Sequence, residues 1–161
     1  MAEEVRCHVI ALLQMKGAHL DLDAVIDGIP QEHLGVRAHG LPYSLWELLE
    51  HMRIAQGDIL EFCRNPAYEP PTWPRGYWPA TPAPPNERAW TESAHSWRED
   101  CQAMQDLVAD TSLDLASPIP HGSGQTYLRE ALLVADHNSW HLGQMMVLRR
   151  LMEAGASGGQ G

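Results

Sequence analysis

Apolar residues recur along this chain at the three- and four-residue spacing of helices, and nowhere at the alternation of strands over a useful length. From Glu3 onward, Val5, Val9, Leu12, Leu13 and Met15 follow helical spacing until Gly17 interrupts them. The stretch HLDLDAVIDGIP then reads as a short continuation ending at residues 28–30. A second helix is signalled at both ends. Ser44 and Glu47 form an S-x-x-E capping box, in which hydroxyl and carboxylate satisfy the free amides of the first turn, and Pro66 stops the helix. Between them Leu45, Leu48, Leu49, Met52, Ile59 and Cys63 form the apolar stripe. A third helix is predicted over about residues 87–110, with Trp90, Ala94, Trp97, Cys101, Met104, Leu107 and Val108 facing inward. The fourth begins near residues 123–126 and continues to Met152, where Gly155 ends it and residues 154–161 form a flexible tail.

Residues 66–86, PAYEPPTWPRGYWPATPAPPN, belong to neither helix nor sheet interior, because their prolines remove too many amide donors. The aromatic residues Tyr68, Trp73, Tyr77 and Trp78 argue against a floppy linker and for an ordered crossover over one end of the domain. The expectation is an all-α fold: one domain over residues 1–153, a four-helix bundle with a long Pro/Trp-rich crossover between the second and third of its helices.

Composition narrows the class. Hydrophobic residues at 44% and charged residues at 20% are those of a globular protein, and no apolar run is long enough to span a bilayer. The start MAEEVRCHV lacks the basic and apolar regions of a signal peptide, so the cytoplasm is the expected location. Eleven basic against twenty-one acidic residues give a formal charge of −10, which disfavours nucleic acid and anionic membranes as partners. Cys7, Cys63 and Cys101 contain no CxxC and fall in helical patterns, which predicts reduced, buried thiols.

The fourth helix carries a polar stripe. At 100° per residue His137, His141 and Gln144 lie within about 60° of one another, and Glu130 joins them two turns earlier. Leu133, Val134, Met145, Val147, Leu148 and Leu151 make the rest of the helix apolar, so the stripe faces other helices and needs partners. Histidines at i, i+4 bring two imidazoles to one point and suit a transition metal. They equally suit two core histidines bonded to carbonyls and carboxylates. The metalloprotease pattern H-E-x-x-H fails, since Asn138 stands where its Glu would be. A third ligand would decide, and His51, mid-way along the second helix with Glu47 one turn before it and Asp58 two turns after, is the candidate. Trp140 either walls a pocket or fills the core. The loop PHGSG lacks the spacing and lysine of a phosphate loop, and no G-x-S-x-G elbow is present.

Taken together, LLEHMRIAQGDIL, LLVADHNSWHLGQMMVLRR, the lead-in PIPHGSGQTYLREALL and the crossover PPTWPRGYWP resemble the DinB/YfiT-like superfamily of bacterial four-helix-bundle proteins, over residues 3–153. That resemblance implies a divalent transition metal such as zinc, nickel or iron on His51, His137 and His141, and a homodimer. It also implies metal-dependent chemistry on a small-molecule substrate, either transfer using a low-molecular-weight thiol such as bacillithiol or mycothiol, or hydrolysis. Glu47 or Asp58 would serve as base, and Gln144 and Trp140 would line the cofactor site. Gln144, Glu47, Asp58, Glu130 and Asp136 are the candidates to orient the imidazoles. The rival is a non-catalytic, metal-stabilised or stress-related binding protein.

Overall fold

The computed structural model describes residues 2–15 and 17–157. Five α-helices form among them: α1 Ala2–Leu13, α2 Leu22–Ile26, α3 Leu45–Arg64, α4 Ala89–Ala109 and α5 Tyr127–Ser157. Single 3-10 turns stand at Gln31–His33, Ala38–Gly40 and Arg75–Tyr77. The architecture is all-α, and no strand occurs among the described residues. α3 packs against both α4 and α5, and α1 packs against the same two helices. No helix among the described residues is long and apolar enough to cross a membrane.

The strongest signal in the sequence forms as read. Ser44 Oγ accepts from the Glu47 amide at 3.1 Å, and Glu47 Oε2 accepts from the Ser44 amide at 2.8 Å. Asp21 caps α2 one way only, its carboxylate accepting from the Ala24 amide at 2.9 Å. The continuation after the first helix is therefore a separate short helix. Arg149 ties it to α5 by donating to the Ala24 and Val25 carbonyls at its C-terminal end.

Three expectations are corrected. Gly155 does not end the last helix, which runs through it to Ser157; the tail beyond, residues 158–161, lies outside the described residues. α1 touches its neighbours along a narrow line through Val9 and Leu13, so Val5 and Leu12 are exposed instead of buried. Cys7 lies on that same exposed side, while Cys63 and Cys101 are buried; all three thiols are free.

The core has two lobes separated by a polar belt. One lobe gathers Leu45, Leu48, Leu49, Met52, Trp97, Leu142 and Met145, the other Leu60, Met104, Val108, Ile119, Ala131 and Val134. Between them Gln56 and Asn138, each at most 2% exposed, pair across α3 and α5. Asn138 Nδ2 donates to Gln56 Oε1 at 2.7 Å, and Gln56 Nε2 donates to the Trp97 carbonyl of α4 at 2.7 Å. A buried amide pair that is satisfied in only one register fixes the axial positions of three helices at once. His51, His137 and His141 sit immediately beyond this belt, one turn away on α3 and on either side of Asn138 on α5.

Candidate metal centre

α3 and α5 bring His51, His137 and His141 to one point, with one ring nitrogen from each lying within 4.8 Å of the others. Ring centroids are 4.5–4.9 Å apart, and the rings meet edge-on instead of stacking. His51 Nε2 and His137 Nε2 are 3.1 Å apart. Two imidazole nitrogens that close need a proton or a cation between them.

The outward nitrogens show which way the lone pairs face. His51 Nδ1 donates to the Tyr77 carbonyl at 2.8 Å, and His141 Nδ1 donates to Gln144 Oε1 at 2.8 Å. Each bond fixes the tautomer that leaves Nε2 unprotonated and turned toward the cluster, the usual outer support of a metal-ligating histidine. Burial holds all three rings neutral. Desolvation lowers the His51 and His141 pKa values, and desolvation, with repulsion from His141 and His51 whenever those rings carry a proton, pushes His137 down to about 3. Neutral imidazole is the ligating form. Donor type, tautomer and protonation state thus all fit a divalent transition metal.

Acidification should expose this burial. Unfolded histidines take up protons below about pH 6.5, whereas folded His137 resists down to about pH 3 and folded His51 and His141 titrate below their ordinary value. The unfolded state therefore binds more protons in that window, and folding stability falls as pH drops. For metal-free protein, the expected loss from His137 alone is about 2 kcal/mol between pH 7.5 and pH 5. Urea melts at the two pH values check this, and His137→Ala should flatten the difference.

The proline-rich segment between α3 and α4 forms the outer wall. Trp78 lies flat on the His51 ring, 3.9 Å between centroids and 2° between planes, and Tyr43 stacks on the far side of Trp78 at 4.3 Å. Tyr77, whose carbonyl holds His51, is anchored at its other end, where its hydroxyl donates to Asp58 Oδ2 at 2.8 Å. Burial and the Asp58 charge push the Tyr77 hydroxyl up to about 12, so it remains a donor. Tyr68 bonds the same carboxylate.

The DinB superfamily model matches residues 14–145, which is most of the chain and includes all three histidines. The chain belongs to the DinB superfamily. No curated protein and no solved structure gives a match.

In this DinB-superfamily protein the remaining sequence candidates fall in different places. Gln144 supports His141 directly. Asp58 reaches the site only through Tyr77. The Glu47 carboxylate closes the helix cap and pairs with Arg37. Burial pushes it up, but Arg37 and the Ser44 amide outweigh that and hold it below the usual carboxylate range, which makes it a poor base. Glu130 is buried two turns from His137, paired with Arg129 and close enough to Cys63 to help burial raise that thiol to about 12. Neither Glu47 nor Glu130 belongs to the ligand cluster. Asp136 is exposed, and Trp140, at 68% exposure, is not a core aromatic. His121 bonds the Phe62 carbonyl at the far end of α3.

Sequence reasoning missed the Tyr77 carbonyl, the Trp78 stack and the Gln56–Asn138 pair. Gln56 carried the one available signal, a polar residue in a slot of the α3 apolar stripe between Met52 and Leu60. For Gln144, removal of the acceptor is expected to weaken metal binding roughly 10–100-fold in Gln144→Ala, with recovery in Gln144→Glu. Competition against a chromogenic chelator measures both.

Proposed function

We propose that His51, His137 and His141 hold a divalent transition metal and that the protein is a metal-dependent enzyme acting on a small molecule, most simply by transfer to or from a low-molecular-weight thiol. The observation that carries this reading is a donor set of three neutral imidazoles to which no carboxylate or thiolate among the described residues adds a fourth ligand. Closed structural sites use four protein ligands, whereas three leave room for an exchangeable one. A divalent ion so placed supplies Lewis acidity that turns a thiol or water into a nucleophile near neutral pH.

The chain's own residues orient and enclose. Tyr77 and Gln144 fix the two outer imidazole nitrogens, Trp78 shields one face of His51 from water, and Asp58 positions Tyr77. Superfamily membership supports a four-helix bundle that pairs as a homodimer, for which light scattering should give about twice the chain mass of 18.0 kDa. The three unpaired thiols are in keeping with a reducing cytoplasm.

The test is turnover by metal-loaded protein with bacillithiol, mycothiol or glutathione and a panel of uncharged electrophiles. Metal-dependent loss of the free thiol supports transfer. Metal-dependent turnover without thiol assigns hydrolysis, and no turnover with a bound metal favours the non-catalytic reading.

A further inference from the structure

One helical turn from the histidines, along both α3 and α5, the surface opens into a cavity of about 470 Å³, within the range of small-molecule sites. Leu48, three residues before His51, and Gln144, three after His141, belong to its wall, as does Tyr43 of the stack on Trp78. No lining side chain is charged. Of the polar ones, Ser139 is already bonded to the Ala135 carbonyl at 2.7 Å. Gln144 Oε1 is taken by His141, and its Nε2, like the Tyr43 hydroxyl and Trp140 Nε1 that also line the cavity, makes no hydrogen bond among the described residues; of these three side chains only Gln144 is hydrogen-bonded to a histidine of the cluster.

A glycine gives the second observation. Gly143 lies in the 31-residue α5 and lines this cavity. Helix-interior glycine costs about 1 kcal/mol relative to alanine. Glycine is usually kept there for a close approach or a positive φ, yet a Cβ at Gly143 meets nothing within 4 Å and its φ is not positive. Packing within the chain does not require it. What its missing side chain preserves is the open space of the cavity.

We infer that this cavity receives the uncharged, largely apolar body of the small molecule on which the metal centre acts, with an acceptor atom of that molecule bonded to Gln144 Nε2. This rests on the metalloenzyme reading for its link to chemistry, and the Gln144 carboxamide is that link, since its other end holds His141. Exposed Trp140 and Val147 form the rim, which an apolar ligand would cover.

The probe is prodan, an uncharged naphthyl ketone whose emission reports both polarity and hydrogen bonding. Prodan should saturate a single site per chain with blue-shifted emission, and anionic anilinonaphthalene sulfonate should bind at least about tenfold more weakly. A Cβ at Gly143 meets nothing within 4 Å, so Gly143→Leu should melt no lower than the wild type and keep metal uptake while lowering prodan affinity by at least about tenfold. Gln144→Leu should weaken prodan more than the ketone-free dimethylaminonaphthalene. Unsaturable prodan binding, or binding indifferent to Gly143→Leu, overturns the inference. A wild-type dimer that Gly143→Leu dissociates also overturns it, by assigning the cavity to a second copy of the chain. Metal uptake is read separately. Prodan binding by protein that takes up no metal keeps the cavity and sinks the metalloenzyme reading, and metal uptake without prodan binding does the reverse.

Discussion

His137→Ala is expected to purify without stoichiometric metal and to show no metal-induced rise in melting temperature. In the wild type, an ion supplied at about a thousand times its dissociation constant stabilises the fold by roughly 4 kcal/mol. For a domain of this size that is a shift on the order of 10 °C. The His137 ring lies 4.9 Å from His51 and 4.5 Å from His141 between centroids, and its Nε2 is 3.1 Å from that of His51. Its loss leaves two imidazoles, and affinity should fall by more than the roughly 10–100-fold that removal of a supporting partner costs. Because the ring is only half-buried, metal-free stability should change by about 1 kcal/mol. Elemental analysis and paired melts with and without metal check both parts. A variant that still melts higher with metal contradicts the assignment.

The second large effect concerns folding. Gln56→Ala should destabilise the protein by about 2–4 kcal/mol, because it opens a cavity and strands the buried Asn138 Nδ2, while the Trp97 carbonyl keeps its bond within α4. The double variant Gln56→Leu with Asn138→Leu removes both members of the pair and should cost clearly less than the sum of the single leucine variants, since neither amide is then left unpaired. Denaturant melts with unchanged m-values measure this. Additive losses would mean that the pair is not a coupled unit. The belt also sets the height of α3 against α5, so the singly substituted proteins should lose metal affinity along with stability.

How far the sequence could be read depended on periodicity. α3 and α4 announce themselves because each buries one continuous face, and the Ser44–Glu47 cap is local chemistry that needs no tertiary context. The histidine pair on α5 was visible as a spacing, and His51 as its partner on a second amphipathic helix. The crossover was not readable in detail. Prolines declare what residues 66–86 are not, but no periodicity says that Trp78 will lie on His51 or that the Tyr77 carbonyl will accept a hydrogen bond from its Nδ1. α5 is apolar nearly all round, so its pattern did not reveal that Trp140 and Val147 face outward, nor where the helix would end. Carboxylates were hardest to place. Glu47 shares a helix with His51, yet the nearer Arg37 and Ser44 amide claim it, and nothing in a one-dimensional pattern ranks such competing partners.

The account stands on three imidazoles sharing one ion that retains an exchangeable position. X-ray absorption at the metal edge of the loaded wild-type protein tests this most directly. Three imidazole scatterers at about 2.0–2.1 Å, with one or more light atoms that change when a thiol is added, is the predicted result. A closed shell with a fourth protein ligand, indifferent to thiol, or a shell with fewer than three imidazoles, would contradict it.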